Sequence, residues 1–188
     1  MGLASFVYGF DPKKLQTKIA TDPEMNQDFK SINQEIMGGG DILDYLGGEF
    51  AFSLGGLDSD IFDGWNVDKV DAYLSVQVRT EEKGKELIDV LRKKIVDQFG
   101  SSEEIKTVTT FLAKPLIEDY AGKKIYYSEK IPLPFVGGIS FAYTFVDDFF
   151  IIGLNRMTIK HVIDVATSGD QAKKKILDTN TLSSGNFF

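Results

Sequence analysis

Two stretches of this chain run through the same cadence of strand, strand and amphipathic helix, and that order limits the fold more than any other feature. The first is EFAFSLGG (Glu49–Gly56), then DAYLSVQV (Asp71–Val78), then a helix opening at Thr80. The second is GGISFAYTF (Gly137–Phe145), then DFFIIGL (Asp148–Leu154), then a helix opening near Asn155. Phe50, Phe52 and Leu54 alternate with small or polar residues, as do Leu74, Val76 and Val78, which predicts strands buried on one face. Leu87, Ile88, Leu91, Ile95 and Phe99 share one face of the first helix. Glu81 and Glu82 open that helix and Arg92, Lys93 and Lys94 fall late in it, an order that complements the helix dipole. Ile159, Val162, Ile163 and Ala166 line one side of the second helix and leave His161 pointing away, toward solvent.

The remaining segments fit around these blocks. Residues 4–10 (ASFVYGF) predict a strand. Asp11-Pro12 and Asp22-Pro23 each place a capping carboxylate before a proline at the first helical position. Leu15 and Ile19 share a face of the first helix they open, and Met25, Phe29, Ile32 and Ile36 a face of the second. Gly38-Gly39-Gly40 stops that second helix, and Asp41 can cap one further turn. Residues 105–113 (IKTVTTFLA) are β-branched and predict a strand. Lys114-Pro115 predicts a short helical stretch to Tyr120, and KKIYYSE a strand after the Ala121-Gly122 turn. Hairpins without regular βαβ alternation predict one α+β domain over residues 1–188. Its expected form is a mainly antiparallel β-sheet with helices packed on one face, the two strand–strand–helix blocks being candidate repeats of one unit.

Composition removes several classes of function. The chain has no cysteine and one histidine, so thiol chemistry, disulfides, histidine triads and multi-histidine metal sites are excluded. The net charge of −7 opposes a nucleic-acid partner, and the short Lys/Arg clusters are not interleaved with aromatics. No apolar run reaches membrane-spanning length, and MGLASFVYGF lacks the basic leader of a signal peptide. Phe187 and Phe188 follow a polar, turn-rich TLSSGN, an ending expected of a piece of a longer protein. Fifteen phenylalanines predict a large aromatic core.

Four motifs bear on chemistry. LGGEF (Leu46–Phe50) resembles the signature of diguanylate cyclases, but one acidic residue of the pair that serves metal and substrate is missing. A glycine turn between a helical turn and a strand accounts for it. The loop of residues 55–71 carries Asp58, Asp60, Asp63, Asp68 and Asp71. Asp58, Asp60 and Asp63 are its candidate metal ligands, yet Phe62 falls where a ligand belongs, Gly64 comes one residue late and Lys69 replaces the closing Glu of a calcium loop. Gly38-Gly39-Gly40 lacks the Lys-Ser/Thr of a phosphate loop. IPLPFVGG (Ile131–Gly138) is the candidate contact surface: two prolines stiffen it, and Leu133, Pro134, Phe135 and Val136 would meet a protein partner or apolar ligand. No cofactor and no catalytic residue is expected. A carboxylate- or metal-dependent enzyme using residues 58–71 is the alternative to a non-enzymatic structural or binding role.

The runs DYLGGEFAFSLGG, AYLSVQVRTEEKGKELIDVLRKKI, YAGKKIYYSE and ISFAYTFVDDFFIIGLNRMTIKHVIDVAT resemble an uncharacterised bacterial domain-of-unknown-function family. The likeness covers residues 41–168 and lies in turns, strands and capped helices, with no catalytic residue to carry over. It implies a larger parent protein, anchored in the bacterial membrane with this domain outside the cytoplasm. Membrane association would then run through a segment that is not in this chain.

Overall fold

The computed structural model describes residues 4–55, 70–100, 103–130 and 139–168. Strand β1 (Ala4–Gly9) is followed by helices α1 (Pro12–Thr21) and α2 (Pro23–Met37). Asp11 caps α1 by accepting from the amides of Lys13 and Lys14, and Asp22 caps α2 through Glu24 and Met25. Gly38 ends α2 in the left-handed conformation (φ 65°) that glycine adopts freely. A single 3-10 turn, Ile42–Asp44, capped by Asp41, leads into β2 (Leu46–Gly55). Next come β3 (Asp71–Val78), α3 (Glu81–Phe99), α4 (Glu103–Ala113), β4 (Leu116–Tyr120) and β5 (Lys123–Tyr127). Then follow β6 (Ala142–Val146), β7 (Phe149–Gly153) and α5 (Arg156–Thr167).

All strands among the described residues join one seven-stranded antiparallel sheet in the order β1-β2-β3-β7-β6-β5-β4. The α+β class and the antiparallel sheet are as expected. The placement of the helices is not. Register puts Tyr126, Tyr143, Phe145, Phe150, Ile152, Leu74 and Val76 on one face, where Ile88 of α3 and Phe111 of α4 pack against them. The opposite face carries Ile125, Ala142, Val146 and Ile151, and Ile159 and Ile163 of α5 cover it. The helices therefore occupy both faces, because β6 is apolar on both sides and every one of its residues is buried.

This placement also qualifies the repeat. A two-fold axis through the β3–β7 pairing, perpendicular to the sheet, carries β2 onto β6 and β3 onto β7. Such a rotation keeps faces, so it would put α3 and α5 on the same side. They lie on opposite sides, and the repeated cadence is a repeat of hairpins only.

Three further expectations are corrected. Residues 105–113 form the helix α4: Ile105, Val108, Phe111 and Leu112 recur at helical spacing, and the Thr109 hydroxyl donates to the Ile105 carbonyl at 2.8 Å, one turn back. Tertiary packing of Phe111 outweighs the strand preference of the β-branched residues. The stretch after Pro115 is strand β4, which pairs with β5 across Ala121-Gly122, both at positive φ (48° and 75°) as a tight hairpin turn demands. Phe50, Phe52 and Leu54 do not form a buried row: Phe52 is 44% exposed.

Candidate functional site

The loops singled out in the sequence, Leu133, Pro134, Phe135 and Val136 in one and Asp58, Asp60 and Asp63 in the other, lie outside the described residues. Their flanks are described. Residues 128–130, before the first loop, border two clefts of about 690 and 550 Å³, one against α4 and one against the start of α5. Asp71 opens β3 beside Val70, whose carbonyl accepts from the buried side-chain amide of Asn155 at 3.1 Å. Asn155 also caps α5 by accepting from the Thr158 amide at 2.8 Å. Among the described residues no three His, Cys, Asp or Glu side chains gather to hold a metal.

LGGEF is a bulge. Pairing between β2 and β3 shifts register between Leu46 and Phe50, and Gly48 sits at φ 125°. A Cβ there would run into the Phe10 carbonyl and Pro12. Phe10 in turn donates its amide to the Gly48 carbonyl at 2.6 Å. Glu49 is exposed on the rim of this turn and His161 on the outside of α5.

On the β4 side of the sheet the charged groups are already matched. Lys160 and Arg156 of α5 both pair with Glu118, Arg156 lies 4.4 Å over the Tyr127 ring, and the Tyr120 hydroxyl donates to Asp164 at 3.0 Å. The hydrogen bond from Lys160, with both cations nearby, holds the Glu118 carboxyl below its usual range. The bond to Asp164 pushes the Tyr120 phenol up. This network pins α5 to β4. A further cleft of about 1080 Å³ is an open groove along the polar side of α2, bordered by Asn26, Gln27, Lys30, Gln34 and Glu35.

The unmatched surface lies at the other end of the sheet. Alternation and register bring Phe6 and Tyr8 of β1, Phe50 and Phe52 of β2 and Leu74 of β3 to one face. The rings of Phe6 and Tyr8 are near parallel with centroids 6.5 Å apart, and Tyr8 meets Phe50 at 5.3 Å. Phe6 is 55% exposed, Tyr8 50% and Leu74 40%. At about 150–250 Å² per aromatic side chain, the exposed parts of Phe6, Tyr8 and Phe52 amount to roughly 300 Å². Patches of that size on soluble proteins commonly mark a contact site. Val7, on the other face of β1, is 67% exposed, so the strand is apolar and open on both sides. We find the candidate site here. The sequence signal for it was ASFVYGF itself, apolar at consecutive positions and without one charged residue.

The chain was compared with known proteins and matches no family model, no curated protein and no solved structure.

Proposed function

We propose that this chain is a non-enzymatic structural or binding domain that meets a partner or apolar ligand through the aromatic face of β1, β2 and β3. One observation carries the proposal: Phe6, Tyr8, Phe52 and Leu74 are 40–55% exposed on one continuous face, while β6 and β7 are covered by helices. Aromatic side chains supply contact area at low entropic cost, which suits a binding face. An extracytoplasmic setting in a longer, membrane-anchored bacterial protein is part of the proposal, supported by the resemblance of residues 41–168. No described helix is long and apolar enough to cross a membrane.

The test is titration of the purified chain with the apolar dye 1-anilinonaphthalene-8-sulfonate, beside native mass spectrometry with and without calcium. Dye binding is expected to fall several-fold in a Phe6→Ser/Phe52→Ser variant whose circular dichroism is unchanged. Equal binding by that variant contradicts the proposal. A calcium-dependent mass gain abolished by Asp58→Asn/Asp60→Asn would favour the metal-dependent alternative instead.

A further inference from the structure

We propose that a second copy of the chain pairs antiparallel with the outer edge of β1, so that two sheets become one and the aromatic face is extended. This rests on the binding role proposed above and deepens it by doubling the face that would carry it. Among the described residues β1 has β2 as its one neighbour, so its other edge carries backbone groups with no strand beside them.

The direction of those groups follows from the ladder. Phe10 donates its amide to Gly48, and the register pairs Tyr8 with Phe50 and Phe6 with Phe52. In an antiparallel ladder a residue points its N–H and C=O to the same side, and successive residues alternate. Phe6, Tyr8 and Phe10 therefore bond inward to β2, and Ser5, Val7 and Gly9 present their N–H and C=O at the open edge.

Of the registers in which such an edge can meet its own copy, one uses every outward residue of β1. A two-fold axis at Val7 sets Val7 opposite Val7 of the second copy and Ser5 opposite its Gly9. All three outward residues then exchange bonds. The same register sets Phe6 opposite Tyr8 of the second copy as a non-hydrogen-bonded pair, the geometry that brings side chains closest. The aromatic face becomes continuous across the junction, which joins the binding face to the dimer.

The strand itself carries none of the residues that blunt an edge: residues 4–10 contain no lysine, no proline and no inward charge, and β1 pairs with β2 without a bulge. The contact is a short one, below the roughly 800 Å² per partner of a stable complex, so association is expected to be weak and to grow with concentration. Copies of net charge −7 repel, so added salt should strengthen it.

The absence of native cysteine allows a direct test. Opposed residues of a hydrogen-bonded pair have Cα atoms about 5.5 Å apart, within disulfide reach. Val7→Cys is expected to cross-link under mild oxidation. Ser5→Cys is expected not to, since four residues of stagger separate its Cα atoms by roughly 14 Å. A second test needs no disulfide: by sedimentation, Val7→Lys and Val7→Glu should each be monomeric and their mixture should associate. Failure of Val7→Cys to cross-link, or equal cross-linking by Ser5→Cys, overturns the dimer. Dye binding that still depends on Phe6 and Phe52 would then leave the binding role standing, and its loss would remove both.

Discussion

The two halves of this sheet share their strand arrangement and differ in what covers them. β6 is buried at every residue between α5 on one side and α3 and α4 on the other. In β1, two pairings from the centre line, the residues from Phe6 to Gly9 are exposed. Apolar side chains in the first region bind the domain together. Similar side chains in the second are about half exposed and meet mainly one another and Phe50; under the proposed function their role lies outside the fold. Stability and recognition are therefore expected to separate along the sheet.

The sharpest way to break that comparison is to truncate matched side chains in the two halves. Ile163 and Ile159 are fully buried, and Ile163→Ala is expected to cost about 2–5 kcal/mol in urea unfolding. Phe6→Ala, at an exposed site, is expected to stay within about 0.5–1 kcal/mol. Equal losses would mean that β1 is covered in solution.

Gly48→Ala should come next. The added Cβ meets the Phe10 carbonyl at a φ that side chains avoid, an expected loss of about 1–3 kcal/mol. Glu49→Ala beside it should leave stability nearly unchanged, which separates the structural glycine from its acidic neighbour. Asn155→Ala removes the α5 cap and the buried bond to Val70, an expected loss of about 1–2 kcal/mol in thermal unfolding.

The smallest effect concerns pH. Burial pushes the Tyr143 phenol from 10.0 up to about 12. The unfolded chain loses this proton first, so stability is full below pH 10 and falls as pH rises toward 12. Alkaline unfolding of Tyr143→Phe should be shallower in that window. An identical slope would place the alkaline sensitivity elsewhere.

Much of the fold was legible locally. Asp11-Pro12, Asp22-Pro23 and Thr80 cap helices as their chemistry predicts, and Asp147-Asp148 turns the last hairpin. What was not legible depends on distant packing. Ile105–Ala113 satisfies both a strand propensity and a helical period, and contact with Tyr143 selects the helix. The pairing of β3 with β7, far apart in sequence, decides which face each helix meets. Phe50 and Phe52 alternate as buried residues do, and alternation cannot say whether anything lies above them. Sequence alone favours the proline loop because proline and phenylalanine stand out in a string. The aromatic face is spread over three strands and appears only when they pair.

The measurement that bears most directly on the division of the sheet is amide hydrogen exchange, followed residue by residue at low and high protein concentration. The amides of β6 should exchange only through global unfolding at both concentrations. Those of Val7 and Gly9 should exchange fast in dilute solution and slow on concentration, while the Tyr8 amide, bonded to β2, should be protected throughout. Val7 protected as fully as β6 in dilute solution would contradict the account, because the edge taken as open would already be occupied.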